Sequence, residues 1–185
     1  MPLTLTPTLL MGCYIIDINP ASDSRGWFSR VFCKREFAEV GIDIDLVQIN
    51  HSFNTQRGTL RGLHYQLPPF AEGKLIRCIG GAVQDVAVDL RSGSPTFLQH
   101  IAVELSATNR TMIYIPPGFA HGFITLLPNT ELLYHHSQYY APGVEAGIGY
   151  ADSRLNINWT QEIQVISNRD KNLPMLAPDF KGITL

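Results

Sequence analysis

Short runs of alternating or β-branched apolar residues dominate the hydrophobic pattern of this chain, and they predict β-strands. The runs cover residues 13–16, 27–33, 46–53, 74–79, 83–90, 98–105, 111–115, 121–126 and 131–139. Turn-forming residues separate them, as at Asn19-Pro20, Gly80-Gly81 and Pro116-Pro117-Gly118. Because the strands recur at this spacing with no long helical period between them, the pattern predicts an all-β fold, either an antiparallel sandwich or a barrel.

Two segments depart from the strand pattern. Residues 34–40 predict one short helix, because Phe37 and Val40 fall on one side of it. The stretch from about residue 156 to 185 is predicted to consist of loops and short turns that pack on the barrel. Since no repeat, charge block or linker divides the sequence, residues 1–185 are predicted to form a single domain.

The composition narrows the classes of function and the cellular location. Hydrophobic residues make up 45% of the 185 residues and the formal net charge is −2, which gives no broad electrostatic reason to bind nucleic acid. The three cysteines are odd in number and form no CxxC pair, so we expect no disulfide framework, no zinc site and a reducing cytoplasm. The first residues lack a basic start and a sustained apolar run, so we expect neither a signal peptide nor a membrane anchor.

The segment Gly58–Gln66 (GTLRGLHYQ) brings Arg61 and His64 close together in a strand-like run. Residues three apart in a regular strand point to opposite faces of the sheet. Both side chains therefore reach one cavity only if Gly62 marks a β-bulge, which is a common role for glycine inside a strand. A surface arginine beside a core histidine is the alternative that this segment alone leaves open.

The segment Pro116–Gly122 (PPGFAHG) matches PxGxxH, the second signature motif of the cupin superfamily. The first motif usually supplies metal ligands as HxH followed by a glutamate. Here the matching region has His64, with Gln66 at the place of the second histidine. One histidine in each motif falls short of the three or four ligands that a metal usually takes. The motifs therefore predict a cupin-type jelly-roll β-barrel with no metal.

A cavity without a metal leaves acid–base chemistry to protein side chains. The candidates by residue type are His64, His121, Lys74, Asp85, Tyr134 and Asp170. Asp85 shares one strand face with Val83 and Ala87, so it lies either in the interior or on a solvated side. A core tyrosine with its hydroxyl at the rim explains Tyr134 equally well. Residue type alone does not separate a catalytic from a structural role at these positions.

Eight stretches, in this order, span most of the chain from about Tyr14 to about Pro174. They are SRGWF at 24–28, VQINHS at 47–52, LRGLH at 60–64, GKLIRC at 73–78, DVAVDLR at 85–91, SPTF at 94–97, IPPGFAHGF at 115–123 and SNRD at 167–170. Together they resemble one family, the dTDP-4-dehydrorhamnose 3,5-epimerases.

The resemblance implies a role for each matching side chain. It implies that His64 is the catalytic base, that Asp170 orients it, that Tyr134 is the general acid and that Lys74 lies near the C4 carbonyl oxygen of the sugar. Substrate binding is implied for the other matching residues: His121 at the sugar, Arg61 and Arg25 near the diphosphate, and Gln48, Asn50, Glu145 and Arg169. Because the family is typically a homodimer whose N-terminal strands reach the partner subunit, Arg25 is expected to serve the partner's site.

The implied reaction is epimerisation of a nucleotide-linked 4-keto-6-deoxy sugar at C3, C5 or both, without a cofactor. The C4 ketone acidifies the C–H bonds at C3 and C5, so a neutral imidazole removes a proton if the enolate is stabilised. Lys74 supplies a fixed positive charge for that purpose, and a carboxylate holds the tautomer of His64. Inversion then requires a proton on the opposite face of the ring, which Tyr134 provides.

The nucleotide and the exact reaction stay open at the level of sequence. Arg30 stands where the family commonly has a glutamate at the nucleotide end of the site, and this reversed charge leaves CDP or another nucleotide as an alternative to dTDP. A single-carbon epimerase, a ketoisomerase and a non-catalytic sugar-binding cupin also stay open. The presence of Tyr134 favours epimerisation, and a binding module has no need for a His–Asp pair with a lysine and a tyrosine.

Overall fold

A computed structural model describes residues 2–185 and shows a chain built mainly from β-strands, which confirms the all-β prediction. The helices are α1 Lys34–Glu39 and α2 Asn168–Lys171. Within residues 2–185 no helix has the length and apolar character needed to cross a membrane. In chain order the strands are β1 Thr4–Pro7, β2 Tyr14–Asp17, β3 Ala21–Asp23, β4 Gly26–Phe28, β5 Gln48–Asn54, β6 Thr59–Gln66, β7 Lys74–Gly80, β8 Ala82–Asp89, β9 His100–Ser106, β10 Met112–Ile115, β11 Phe119–Thr125, β12 Thr130–His136, β13 Glu145–Gly147 and β14 Val165–Ile166.

The strands form two large sheets and one separate hairpin. The first sheet has the order β1-β2-β10-β7-β12-β5, and the second has the order β13-β6-β11-β8-β9 with β14 beside β6. The pair β14–β6 is parallel, whereas the central pairs such as β11–β8 and β12–β7 are antiparallel. From β5 onward the chain passes repeatedly between the two sheets, which is the connectivity of a double-sheet jelly roll.

The main core lies between the two sheets. Ile76 on β7, Ile113 on β10 and Leu132 on β12 face Val83 on β8 and Phe123 on β11, and all are buried. Burial of each such side chain contributes about 1.5–3 kcal/mol relative to exposure. Phe123 also lines the polar cavity described below, so this apolar layer forms one wall of that cavity.

Smaller clusters cover the outer faces of the sheets. Helix α1 places Phe37 against Leu75 and its neighbours on the outer side of the first sheet. On the outer side of the second sheet, Leu155 and Ile183 from the last part of the chain pack against Val86. The last part of the chain therefore covers a sheet face that would otherwise expose apolar side chains.

The observed elements differ from the predicted ones at a few places. The strand predicted over residues 27–33 is wrong beyond Phe28, because the hairpin β3–β4 pairs only up to that residue. The predicted helix over residues 34–40 is confirmed as α1. Residues 156–185 contain β14 and α2, which the hydrophobic pattern did not predict. Helix α2 begins with a serine cap, in which Ser167 Oγ accepts a hydrogen bond from the Asp170 N–H, and such a cap leaves no mark on hydrophobic periodicity.

Candidate active site

A cavity of about 540 Å³ lies between the two sheets. Strands β5, β7 and β12 of the first sheet line it, together with β6, β11 and β13 of the second and the segment that leads into α2. Every predicted site residue except Arg25 contributes to this lining: Gln48, Asn50, Arg61, His64, Lys74, His121, Tyr134, Glu145, Arg169 and Asp170.

A β-bulge allows Arg61 and His64 to share the cavity. On the partner strand β11, His121 pairs with His64 and Phe123 pairs with Arg61, so two residues of β6 oppose the single residue Gly122. This irregularity is the one predicted around Gly62. It turns side chains that lie three apart in sequence toward the same interior.

His64 and Asp170 form a hydrogen-bonded pair, with 2.8 Å between His64 Nε2 and Asp170 Oδ1. The second carboxylate oxygen accepts the Gly62 N–H at 3.1 Å, and the cap by Ser167 fixes the turn that carries Asp170. Because Nε2 faces a carboxylate, it carries the proton, and Nδ1 holds the lone pair. Burial lowers the pKa of His64 below its ordinary value, while the Asp170 carboxylate offsets part of that effect. The imidazole is therefore neutral at pH 7, as a general base requires.

Tyr134 lies on β12 across the cavity from β6, and it is partly buried against the main core. Its hydroxyl oxygen is 3.1 Å from Ser52 Oγ on the neighbouring strand β5. Burial raises the pKa of Tyr134 above its ordinary value, and the hydrogen bond with Ser52 acts in the opposite direction. The phenol is therefore protonated at neutral pH and is able to donate a proton.

A second histidine–carboxylate pair lies beside Tyr134. His121 Nε2 is 2.8 Å from Asp85 Oδ2, and both side chains are buried. The ring centroids of His121 and Tyr134 are 6.2 Å apart. Of the two positions left open for Asp85, the interior one is the one observed, and its partner is a cavity histidine.

Polar contacts among the remaining lining residues hold them in defined orientations. Arg61 Nε donates to Asn54 Oδ1 at 2.7 Å, so this guanidinium is held against β5. Arg169 and Glu145, both predicted to contact substrate, are paired with each other at 2.8 Å. This pair lies at the edge of the cavity, where the Arg169 side chain is 53% exposed.

Arg25 lies outside the cavity of its own chain. It sits in the turn of the β3–β4 hairpin and pairs with Asp23 at 2.5 Å, with both side chains exposed. The adjoining aromatic residues Trp27 and Phe28 are 46% and 70% exposed. Within one chain, the structure therefore does not bring Arg25 together with the other predicted site residues.

Several residues that line or support the cavity were not predicted from the sequence. Ser52 on β5 and His136 on β12 follow the same period of two as Asn50 and Tyr134, a signal that would have identified them. Glu72 precedes β7 in a loop, where no periodicity points to it. Asn54 is identified only through its contact with Arg61.

The protein side chains do not form a metal centre in the part of the chain described. No group of three or more histidine, cysteine, aspartate or glutamate side chains there is placed to hold a metal ion. His64 and His121 are cross-strand neighbours, but each is bonded through Nε2 to its own carboxylate. The arrangement is that of two separate histidine–carboxylate pairs.

Comparisons with known proteins identify the family. Residues 7–178 match the family model described as dTDP-4-dehydrorhamnose 3,5-epimerase. A dTDP-4-dehydrorhamnose 3,5-epimerase from Shigella flexneri is 46% identical over 151 residues, which is 81% of this chain and 83% of the relative.

Solved structures agree in fold. A dTDP-4-dehydrorhamnose 3,5-epimerase from Elizabethkingia anophelis NUHP1 superposes with a TM-score of 0.93 at 37% identity, covering 97% of this chain and 100% of the other. A dTDP-6-deoxy-D-glucose-3,5-epimerase from Legionella pneumophila Philadelphia 1, solved with dTDP-4-keto-L-rhamnose, has a TM-score of 0.88 at 39% identity and covers 94% and 92% of the two chains. The predicted cupin-type fold is thereby confirmed. With nearly the whole chain matched, this protein belongs to the dTDP-4-dehydrorhamnose 3,5-epimerase family and is an isomerase of the epimerase class.

Proposed function

We propose that this enzyme inverts C3 and C5 of dTDP-4-dehydro-6-deoxy-D-glucose and so forms dTDP-4-dehydro-L-rhamnose. The observation that carries the proposal is the placement of a neutral His64–Asp170 pair, a protonated tyrosine and a lysine around one cavity. These groups suffice for removal and return of a proton next to a ketone.

The first step is removal of a proton from C5 or C3. His64 Nδ1 takes the proton, the electron pair of the C–H bond forms the enolate, and negative charge develops on the C4 oxygen. Lys74 is buried on β7, and its ammonium stabilises this oxygen in a site with little water. Asp170 stabilises the imidazolium as it forms.

The second step is return of a proton to the opposite face. Tyr134 lies on the first sheet and His64 on the second, so the two groups approach a bound ring from different sides. The tyrosine hydroxyl donates its proton to the carbon, and the enolate returns to the ketone. Repetition at the other carbon completes the double inversion, after protons equilibrate with solvent.

The nucleotide is proposed to be dTDP. The similar Legionella protein is the one solved with dTDP-4-keto-L-rhamnose. The residues predicted to bind substrate at Gln48, Asn50 and Arg61 line the cavity here. Arg30, whose charge kept CDP open, pairs with Glu36 of its own chain, and this pairing supports dTDP over CDP because it offsets the reversed charge.

We further propose that two copies form a homodimer in which Arg25 completes the site of the partner subunit. The hairpin β3–β4 carries exposed aromatic residues. The outer side of edge strand β5 adds Ile49 and Phe53, which are 62% and 52% exposed. Apolar groups of this size on a hairpin and an edge strand are typical of a surface that a partner covers.

The test is incubation with dTDP-4-keto-6-deoxyglucose in deuterated water, followed by NMR. We expect deuterium at both C3 and C5 together with the inverted product. In His64→Asn, exchange falls by about 10²–10⁴-fold, the usual contribution of a general base. Deuterium at one carbon alone identifies a single-carbon epimerase, and an absence of exchange in the wild type contradicts the proposal.

A further inference from the structure

A chain of hydrogen bonds runs along one side of the cavity and ends on the carboxylate of Glu72. The Tyr140 N–H donates to Gln48 Oε1 at 3.1 Å, and Gln48 Nε2 donates to Asn50 Oδ1 at 3.2 Å. Asn50 Nδ2 is 3.3 Å from His136 Nε2, and His136 Nδ1 is 2.7 Å from Glu72 Oε2.

The direction of this chain follows from its first donor. A backbone N–H only donates, so Gln48 must present its oxygen to Tyr140 and its amide nitrogen to Asn50. Asn50 then presents its own nitrogen to His136, whose Nε2 must accept. His136 is therefore the neutral tautomer with its proton on Nδ1, and that proton is donated to Glu72.

Lys74 is the cation that balances Glu72. Its Nζ lies 3.2 Å from Glu72 Oε1, the carboxylate oxygen that His136 does not use. The side chains of Glu72, Lys74 and His136 are each 10% exposed. With His136 neutral, the buried group consists of one negative and one positive charge, an arrangement in which each charge depends on the other to remain in the interior.

The ionisation of Glu72 agrees with this geometry. Burial alone would raise the pKa of its carboxyl group. The hydrogen bond from His136 and the positive charge of Lys74 outweigh burial and hold the pKa of Glu72 below its ordinary value. The carboxylate is thus present, and bonded at both oxygens, across the neutral pH range.

We infer that Glu72 is a positioning residue for Lys74: it anchors the ammonium through Oε1 while His136, Asn50 and Gln48 hold its other oxygen in place. The inference rests on the proposed role of Lys74 at the C4 oxygen. A lysine side chain has four rotatable bonds and loses considerable entropy when it is fixed. The carboxylate holds the ammonium in place before substrate arrives, so less reorganisation is needed as the enolate forms.

The arrangement also connects binding to chemistry. Gln48 and Asn50 are predicted to contact the substrate. The same two side chains are hydrogen-bonded, through His136, to the Glu72 carboxylate. A substrate that binds these two amides therefore affects, through the adjacent hydrogen bonds, the position of the carboxylate that holds Lys74.

The test compares Glu72→Gln with the wild type by steady-state epimerisation and by dTDP titration calorimetry. We expect kcat to fall about 10- to 100-fold, a smaller loss than that expected for removal of a charge-stabilising group itself. KM and the dTDP stoichiometry stay close to wild type, which shows that the sites remain folded. A folding defect would instead lower the dTDP stoichiometry.

A double-mutant cycle with Lys74→Gln decides whether Glu72 acts through Lys74. In the Lys74→Gln background, Glu72→Gln should cause little further loss, because the group that it positions is already absent. Glu104→Gln is the matched control; it removes a carboxylate from an exposed position on β9 and should leave kcat unchanged. Wild-type kcat in Glu72→Gln, or losses that multiply in the double variant, would overturn the inference. Wild-type activity in Lys74→Gln would instead overturn the role proposed for Lys74, and with it this inference.

Discussion

His64 experiences two opposing influences, burial and the Asp170 carboxylate, and burial has the larger effect on its pKa. The side chain is 25% exposed, whereas Asp170 is 5% exposed. The carboxylate is fixed by the Gly62 N–H as well as by the imidazole. At the scale of single residues, the ability of His64 to act as a base therefore depends on the carboxylate oxygen that Asp170 presents to its Nε2 atom.

Asp170→Asn should impair the base and also move the acid limb of kcat/KM. If the oxygen of the new side-chain amide still accepts the hydrogen bond from the Gly62 N–H, its NH₂ group donates to His64 Nε2. The imidazole proton then moves to Nδ1, the atom that has to accept the substrate proton. We expect activity to fall by about 10²–10⁴-fold. Loss of the carboxylate removes the influence that raises the pKa of His64, so the acid limb, where activity declines as the imidazole becomes protonated, moves to lower pH.

The pH profile of kcat/KM measures this effect, with Asp179→Asn at an exposed surface position as the control. An acid limb that stays in place, or moves to higher pH, would contradict the assigned pair.

Tyr134→Phe should separate proton removal from inversion. The hydroxyl is lost while the aromatic ring remains, so His64 still exchanges a proton with solvent. We expect deuterium incorporation to continue while inverted product falls sharply, by about 10²-fold or more. If exchange and inversion fall by the same factor, Tyr134 positions the substrate or stabilises the enolate and does not deliver the proton.

At the scale of elements, the close approach of β6 and β11 gives the cavity its shape. Gly62 has φ +111°, and a Cβ there would lie 2.7 Å from both the Gly122 Cα and the His121 carbonyl oxygen. A Cβ added at Gly122 would in turn lie 2.8 Å from the Arg61 carbonyl oxygen. Facing glycines thus allow the bulge that places Arg61 and His64 on the same side.

Gly62→Ala should destabilise the protein, because the methyl group meets backbone atoms that cannot turn away and the positive φ adds strain. We expect a loss of about 2–4 kcal/mol in the free energy of unfolding, measured with urea. Gly93→Ala is the control: φ is +74° and no atom lies within 4 Å of the added carbon, so only about 1 kcal/mol is expected. Equal losses at the two positions would mean that the close approach contributes nothing.

At the scale of the whole molecule, the site described in one chain lacks Arg25. The hairpin that carries this residue exposes Trp27 and Phe28, and the Arg110 guanidinium lies over the Trp27 ring at 4.6 Å. Exposed aromatic side chains gain stability when a partner covers them, and a symmetric dimer would allow each chain to cover the hairpin of the other. A single domain over residues 1–185 stays a prediction at this scale.

Co-expression of Arg25→Ala with His64→Asn tests whether Arg25 acts in the partner's site. Each variant alone should have low activity. In a mixed dimer, the β3–β4 hairpin of the His64→Asn chain supplies Arg25 to the site that contains His64. About half of randomly paired dimers are mixed and each has one complete site of its two, so about a quarter of all sites are restored. Ultracentrifugation measures the dimer in the same samples. If the mixture is no more active than its components, Arg25 does not complete a site across the interface.

Local patterns in the sequence determined the fold class, most of the strands and the class of reaction. Period-two alternation predicted the all-β class and most strands, because side chains in a half-buried strand must alternate between core and solvent. The motif around His121 indicated the barrel scaffold, and Gly62 between Arg61 and His64 indicated the bulge. The order of the family motifs gave the reaction class before any distance was known.

Local patterns did not show which carboxylate serves which histidine: the resemblance to the family implied the His64–Asp170 pair, and only the tertiary structure decided the carboxylate partners of His121 and His136. Asp170 lies 106 residues from His64, and Glu72 lies 64 residues from His136, so no local pattern relates the members of either pair. Helix α2 was missed because its start depends on one serine cap. Arg25 falls outside the cavity because its position follows from the path of an exposed hairpin. Which side chains meet across the barrel depends on how strands distant in sequence come together. The hydrophobic period of a single strand contains no information about that arrangement.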